Sequence, residues 1–169
     1  MYTADVVAVA FSADNQSFFL STSNMVMERW AFEGDLPLMS FSNLGGSVWA
    51  MAMHDKTLVT VLDNGGVEVW DIETGRKLQN LRGHAGFATG VALSPDGLSA
   101  VTVSEDRTMF LWDIGSIVTR KLWQAHESVA SGMALSPDGS RLITGSWDMT
   151  AIIWDIETQQ ALLTLNNDG

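Results

Sequence analysis

Residues 145–155 have the sequence GSWDMTAIIWD, in which an Asp-containing turn is followed by a short apolar strand that ends in Trp-Asp. The same pattern recurs upstream, with Trp-Asp at 112–113 and 70–71 and Trp-Ala at 30–31. Successive tryptophans in this series lie 42, 42 and 40 positions apart. Four units of nearly equal length indicate a repeat architecture, and that period constrains every local prediction.

Each unit has the pattern of four short strands separated by turns. The third and fourth units are the most regular, because each has Ser-Pro-Asp-Gly after its first strand, at 94–97 and 136–139. Pro at the second turn position and Gly at the fourth favour a type I turn. Within a single domain spanning 1–169, we therefore predict four units at about 6–41, 47–82, 86–124 and 128–166.

A four-stranded antiparallel unit that is apolar on both faces cannot bury those faces alone. Such units must stack on their neighbours, and radial stacking gives a β-propeller. The predicted fold class is therefore all-β, a propeller with four four-stranded blades in this chain.

Composition excludes several classes of protein. The chain has 169 residues, is 46% apolar and contains no cysteine, so a core can form while disulfides and thiolate chemistry are excluded. A net charge of −11 should repel phosphate backbones, so no nucleic-acid partner is expected. The first twenty residues show neither a signal peptide nor a membrane span, so we expect a cytoplasmic protein without a membrane partner.

Several motifs resemble the signature of the WD-repeat β-propellers, and the resemblance covers essentially the whole chain. The motifs are Gly83-His84, Ser94-Pro95-Asp96-Gly97, Asp106 and Trp112-Asp113, then Ala125-His126, Ser136-Pro137-Asp138-Gly139, Asp148 and Trp154-Asp155. In that family a buried network joins a His, a hydroxyl residue, the turn Asp and the strand Trp. The resemblance places this network on His84, Thr102, Asp106 and Trp112, and again on His126, Thr144, Asp148 and Trp154.

The first two units depart from the family pattern. The second keeps Thr60, Asn64 and Trp70 but has Leu44 where the His would stand, and the first keeps Asn24 and Trp30. We expect these two units to depend more on apolar packing than on a polar network.

A His-Thr-Asp set resembles a catalytic triad in composition. Here, however, the set recurs at the same 42-residue period as the fold, which favours a structural role. No enzyme activity and no cofactor are therefore expected. No His or carboxylate pair has metal-site spacing, and the unrepeated His54 is predicted to be a solvated turn residue.

A partner-binding face is predicted from the loops before the first strands and between the second and third strands. Trp147 stands just before the turn Asp, a position that lies on the recognition face in the resembled family. The predicted face comprises Trp49, Asp63, Phe87, Glu105 and Trp147, aromatic residues among carboxylates that suit a basic or amphipathic peptide. The alternative is that Trp147 packs on a neighbouring blade. Trp123 is expected to cover the outer edge of its own blade.

The expected function is that of a non-enzymatic scaffold that binds a protein or peptide partner. The alternative is a structural half-propeller module or a fragment of a longer multidomain WD-repeat protein. A hydrolase would need a cluster of unrepeated polar residues, which the sequence does not contain.

Family rings usually contain more than four blades, so a half-ring should leave one apolar blade face bare at each end. We expect Phe11 and Phe18 to line the first bare face, and Ile143 and Ile152 to line the second. Two copies could close an eight-bladed ring as a homodimer. A different chain that supplies further blades is the alternative, and a four-bladed ring that closes on itself is a third, less expected outcome.

Overall fold

The structure is a computed structural model that describes residues 4–116 and 119–167. Within those two ranges the chain forms sixteen β-strands and no helix, so the described residues contain no apolar helix of membrane-spanning length. The strands form four antiparallel sheets of four strands each. The predicted all-β fold with four-stranded blades is therefore confirmed.

Strand order follows chain order within every sheet. The first and second blades contain β1 (Val6–Phe11), β2 (Ser17–Thr22), β3 (Met27–Ala31) and β4 (Met39–Phe41), then β5 (Val48–His54), β6 (Thr57–Leu62), β7 (Val67–Asp71) and β8 (Arg76–Leu81). The third and fourth contain β9 (Ala88–Leu93), β10 (Ser99–Ser104), β11 (Thr108–Asp113) and β12 (Thr119–Gln124), then β13 (Ala130–Leu135), β14 (Arg141–Ser146), β15 (Thr150–Asp155) and β16 (Ala161–Asn166).

The turn after β9 shows why Ser-Pro-Asp-Gly recurs. The Gly97 amide donates to the Ser94 carbonyl at 2.9 Å, and Gly97 has a φ of 69°. The Asp96 carboxylate accepts from the Ser94 hydroxyl at 2.5 Å and from the Leu98 amide at 3.0 Å. Side chain and backbone therefore fix the same turn.

The turn between the second and third strands of each blade contains one residue with positive φ. These residues are Met25 (65°), Gly65 (78°), Arg107 (69°) and Met149 (66°). At Gly65 a Cβ atom would also lie 2.7 Å from the His84 carbonyl oxygen, so this turn requires glycine for space as well as for conformation.

The blades stack side by side through their first strands, with β1 beside β5, β5 beside β9, and β9 beside β13. Apolar clusters fill the space between successive blades. Trp112 of the third blade, for example, packs with Val59 and Val61 of the second, and Trp154 packs with Val101 and Val103 of the third. Each of these tryptophans therefore faces the blade that precedes its own.

The described blades form an open arc, because the fourth does not pack on the first in the way that successive blades pack. On the first blade, Val9 and Phe11 are each 68% exposed. On the fourth, Ile143 is 41% exposed, whereas Val59 and Val101 at the equivalent positions of the preceding blades are 0% and 3% exposed. We call these surfaces the first-blade face (Val9, Phe11, Phe18, Trp30) and the fourth-blade face (Ile143, Ala151, Ile153, Leu163, Leu165).

Two packing predictions were wrong. Ile152 does not line the fourth-blade face but packs in the cluster between the third and fourth blades. It lies two residues from Trp154 and shares its side of the strand, so the bare side belongs to Ile153. Trp123 also packs in this cluster rather than covering an outer edge. Phe18 is half-buried and contacts Phe32, with ring centroids 6.0 Å apart.

Candidate functional site

The third blade contains a chain of buried hydrogen bonds. The Trp112 indole N–H donates to Thr102 Oγ1 at 2.8 Å, and that hydroxyl lies 2.7 Å from His84 Nε2. His84 Nδ1 lies 3.2 Å from Asp106 Oδ2. With the His proton assigned to Nδ1 from these partners, every donor finds an acceptor: indole to hydroxyl, hydroxyl to imidazole, and imidazole to carboxylate.

The fourth blade repeats this chain with nearly the same geometry. The Trp154 indole donates to Thr144 Oγ1 at 2.8 Å, and that hydroxyl lies 2.8 Å from His126 Nε2. His126 Nδ1 lies 3.0 Å from Asp148 Oδ2. All eight residues that the resemblance assigned to the two networks therefore lie within hydrogen-bond distance of their assigned neighbours.

The carboxylate of the third-blade network is held in its charged form. Burial raises the pKa of Asp106, but donation from the Thr108 hydroxyl and from the Ala85 and Thr108 amides outweighs burial and leaves that pKa below its ordinary value. Burial lowers the pKa of His84, and the neighbouring Asp106 offsets this only in part. A neutral imidazole beside a charged carboxylate fits the donor assignment.

The order hydroxyl, imidazole, carboxylate matches a catalytic triad, but the hydroxyls are inaccessible. Thr102 and Thr144 are completely buried, and each oxygen already accepts a hydrogen bond from an indole. A nucleophile must approach its substrate to within van der Waals contact. In this conformation, therefore, neither threonine can attack a substrate.

The second blade retains only part of the network. The Trp70 indole donates to Thr60 Oγ1 at 3.1 Å. Asn64 is not linked to Thr60, because Leu44 stands in place of the bridging His; the Asn64 amide donates to the Gly45 carbonyl at 2.8 Å and accepts from the Gly66 amide at 3.0 Å. The prediction that Asn64 joins the tryptophan network was therefore wrong, and its side chain fixes the local turn.

A buried ion pair, which the sequence analysis missed, lies beside this Trp70-Thr60 bond. Glu68 is completely buried, and its Oε1 accepts from the Gly45 amide at 3.0 Å and from Lys77 Nζ at 2.5 Å. Lys77 also lies 4.9 Å from the centre of the Trp70 ring. The register pairs Lys77 with Trp70 and Glu68 with Asn80, so the two charged residues meet diagonally across β7 and β8; the third blade has Phe110 in place of Glu68. In the first blade Glu28 has the corresponding place, and its Oε2 accepts from the Trp30 indole at 3.0 Å.

The loops predicted to bind a partner meet on one face of every blade. The residue before each turn Asx donates its backbone N–H to the carbonyl of the residue before the first strand. The four bonds are Ser23 to Asp5 (2.9 Å), Asp63 to Ser47 (3.0 Å), Glu105 to Phe87 (2.9 Å) and Trp147 to Val129 (3.0 Å). We call the surface formed by these paired loops the loop face.

Aromatic side chains project from the loop face. The Trp49 and Phe87 rings, from the second and third blades, meet edge to face with centroids 6.0 Å apart, and both remain partly exposed. Trp147 is 71% exposed, so it is not packed on a described neighbouring blade. Glu105 is exposed, and the Asp63 carboxylate accepts from the Ser47 amide at 3.2 Å.

His54 lies among the turns at the opposite ends of the strands. It is half-buried, its Nε2 is 3.5 Å from Asp55 Oδ2, and its ring packs against Gly97. It lines an open cavity of about 690 Å³, and its side chain is 33% exposed. Among residues 4–116 and 119–167, no group of three or more His, Asp or Glu side chains is placed to hold a metal ion.

Comparison with known proteins identifies the repeats. The family model described as WD domain, G-beta repeat matches residues 75–113 and 117–155, which contain the two complete hydrogen-bond networks. These two stretches of the chain are WD repeats. The presence of WD repeats supports a general role in protein interaction.

The WD-repeat fold is also found in solved structures. One chain of a crystal structure of the mitotic checkpoint complex superposes with a TM-score of 0.91 and 19% sequence identity. The alignment covers 100% of the present chain and 53% of the other, so the WD-repeat chain described here spans about half the length of that relative. No protein of curated function matches the sequence.

Proposed function

We propose that this WD-repeat chain is a non-enzymatic platform that binds a basic or amphipathic peptide segment of a partner protein on its loop face. The observation that carries the proposal is the exposed Trp147 on the same face as the Trp49 and Phe87 pair. Large aromatic side chains contribute most of the contact energy in many interfaces. Their exposure on a rigid β framework means that little ordering is required on binding.

Charge supports the choice of a basic partner. Asp63 and Glu105 stand at corresponding positions of neighbouring blades, and the chain as a whole carries −11. Carboxylates around an aromatic patch steer a cationic segment toward it and disfavour acidic competitors. Binding should therefore weaken as salt concentration rises.

A peptide-binding experiment tests the platform. The probes are an amphipathic helical peptide built from Lys and Leu and a matched peptide with Glu in place of Lys. The protein would be titrated into each labelled peptide, and binding would be followed by fluorescence anisotropy. We expect the basic peptide to bind more tightly, and Trp147→Ala to weaken its binding about tenfold or more. Leu98→Ala, an exposed apolar residue of a turn at the other ends of the strands, is the matched control. Affinity that is indifferent to both Trp147→Ala and added salt would show that the loop face is not the site.

We also propose that two copies of the chain close one eight-bladed ring. The three interfaces between described blades support this, because in each the face that carries the strand tryptophan covers the opposite apolar face of the preceding blade. The first-blade face, with Trp30 and Phe18, is of the first kind. The fourth-blade face, with Ile143 and Ile153, is of the second kind. The two bare faces are thus complementary in chemistry, and a two-fold axis would bring both pairs together.

Side-chain hydroxyl groups that donate hydrogen bonds to the next blade support the same arrangement. Ser21 Oγ of the first blade donates to the Val48 carbonyl of the second at 3.0 Å, and Thr89 Oγ1 of the third donates to the Ala130 carbonyl of the fourth at 2.5 Å. Ser131 has in the fourth blade the position of Thr89 and is exposed. In a closed ring it would donate to the Val6 carbonyl of the second copy.

Light scattering at micromolar concentration tests ring closure. Twice the chain mass supports the homodimer, and a stable monomer contradicts it and favours a different chain as the source of further blades. Ile153→Asp puts a carboxylate on the fourth-blade face and should abolish ring closure, which lowers the measured mass. Leu98→Asp, outside both bare faces, is the control and should leave the mass unchanged. Ring closure and peptide binding are separate properties, so either can fail without the other.

A further inference from the structure

The outer strand of the fourth blade differs from the other outer strands. β16 has the sequence ALLTLN, six residues without a charge or a proline. β8 begins with Arg76-Lys77, β12 contains Arg120-Lys121, and β4 has only three residues and follows Pro37 closely. Lysine, proline and shortness are the features by which proteins keep an edge strand from pairing with another chain.

The backbone of β16 has an open edge. In its sheet β16 has one neighbour, β15. The Asn167 amide donates to the Met149 carbonyl at 2.9 Å, which fixes the direction in which its backbone points. Since successive residues alternate, Thr164 and Asn166 direct their N–H and C=O groups away from β15, whereas Leu162 lies at a β-bulge where the pairing with β15 shifts between Ile153 and Trp154. These are the groups that a further strand would bond.

We propose that β16 pairs antiparallel with β16 of a second copy of this chain, centred on Thr164. This contact goes beyond the proposed platform and the proposed ring, because its hydrogen bonds use the backbone edge of the sheet, which neither of those proposals involves. Thr164 would lie opposite the partner's Thr164, with Leu162 opposite the partner's Asn166. The N–H and C=O groups of Thr164 would then bond those of the partner's Thr164.

Side chains favour a copy of the same strand as the occupant. In this register Leu163 lies opposite the partner's Leu165 on one side of the joined sheet, where both leucines are about half exposed in the single chain. On the other side two threonines face each other, a favourable cross-strand pair. A chain of net charge −11 opposes most self-contacts, whereas β16 brings no like charges together.

Cysteine cross-linking tests the register. The chain has no cysteine, so Thr164→Cys supplies a single thiol. A hydrogen-bonded antiparallel pair sets its Cα atoms about 5.5 Å apart, within the range that a disulfide spans. Asn80→Cys is the matched control, because Asn80 pairs with Glu68 in the second blade as Thr164 pairs with Ile152 in the fourth.

On mild oxidation with diamide at low micromolar concentration, we expect a covalent dimer of Thr164→Cys and at least tenfold less of Asn80→Cys. Leu162→Lys added to Thr164→Cys should abolish the cross-link. Equal cross-linking of both single variants, or none in either, would overturn the proposal.

Ring closure alone would give a dimer by light scattering without this disulfide. Edge pairing alone would give the disulfide even with Ile153→Asp, and both contacts together would give masses above the dimer.

Hydrogen exchange gives a second measurement on the unmodified protein. The Thr164 amide points to the open edge, so pairing should slow its exchange as protein concentration rises. The Asn80 amide should exchange at a rate independent of concentration. A Thr164 amide that exchanges as fast as that of Asn80 at every concentration would contradict pairing.

Discussion

At the scale of single residues, Asp106 and Asp148 each receive hydrogen bonds from several parts of their blade. The Asp148 carboxylate accepts from the Glu127 and Thr150 amides as well as from the His126 ring. Burial raises its pKa, yet these hydrogen bonds outweigh burial and hold that pKa far below its ordinary value. The side chain therefore connects the loop before β13, the turn after β14 and the start of β15.

Removal of this carboxylate should destabilise the fold. Asp148→Ala leaves buried donors without an acceptor, and we expect the free energy of unfolding to fall by about 2–4 kcal/mol. Asp106→Ala should have a similar effect, and thermal melts of both variants measure it. Asp138→Ala is the control, because Asp138 bonds only its own exposed turn, where donation from Ser136 and Ser140 lowers its pKa to about 2. Melting curves unchanged in both network variants would refute the structural role.

Acid should destabilise the protein in two stages. The pKa of His84 lies below its ordinary 6.5 because of burial, so below pH 6.5 the unfolded chain takes up a proton before the folded chain does. Stability is therefore complete above about pH 6.5 and falls as the pH decreases toward the folded-state pKa. The pKa of Asp106 lies below 3.8, which adds a further loss below that pH.

Chemical denaturation between pH 8 and pH 3 measures this dependence, and NMR titration of the His84 ring protons measures its cause. We expect the ring to titrate below pH 6.5. A His84 that titrates above 6.5 would reverse the sign of the first stage and contradict the neutral, hydroxyl-accepting imidazole.

The two complete networks could be predicted residue by residue because each member has its expected type at its expected position. Glu68 could not be predicted in the same way. A glutamate in an alternating strand ordinarily indicates a solvent-facing position. Its burial depends on Lys77 across the strand pair and on the Gly45 amide from a distant loop, which no local pattern contains.

At the scale of the strand and turn, the sequence predicted local structure well where a residue type strongly favours one backbone conformation. Pro95 and Gly97 mark a turn because each favours a particular φ. The side of a strand is a finer property, because a one-residue shift exchanges its two faces. Ile152 and Ile153 are chemically equivalent neighbours, and only the pairing of Trp154 with Leu142 in the structure shows which of them faces the third blade.

Position 149, in the turn between β14 and β15, should accommodate glycine with less backbone strain than the methionine present there. Met149 has a φ of 66°, a conformation that is strained for a side chain with a Cβ atom, and its side chain is largely exposed. We expect Met149→Gly to raise the free energy of unfolding by about 0.5–1 kcal/mol. Met133→Gly, in a strand interior with ordinary φ, should instead destabilise. Thermal melts compare the two, and a Met149→Gly protein that melts lower than the parent would contradict the expected relief of strain.

At the scale of the whole molecule, the repeat period predicted the number of blades and their order. The bare faces at the ends of the arc could also be predicted from the number of blades. The open edge of β16 could not, because it depends on the direction in which each backbone N–H and C=O group points.

Neighbouring residues of β14 distinguish an interior interface from an end of the arc. Leu142 is completely buried between blades, so Leu142→Ala should lower stability by about 2–5 kcal/mol at every protein concentration. Ile143 lies on the fourth-blade face, and Ile143→Ala should change the stability of the single chain little. If the ring closes, its effect should grow with protein concentration. Urea unfolding at two concentrations measures both, and equal losses for the two variants would contradict the open arc.

The tryptophan of each blade after the first is covered by the blade before it, which gives the molecule a direction. During synthesis, each new blade would meet the apolar face of the preceding blade, which has already left the ribosome. The indole, hydroxyl and imidazole groups of the new blade could then be buried against that face. Growth of the fold would then follow translation order, with each blade acting as the template for its successor.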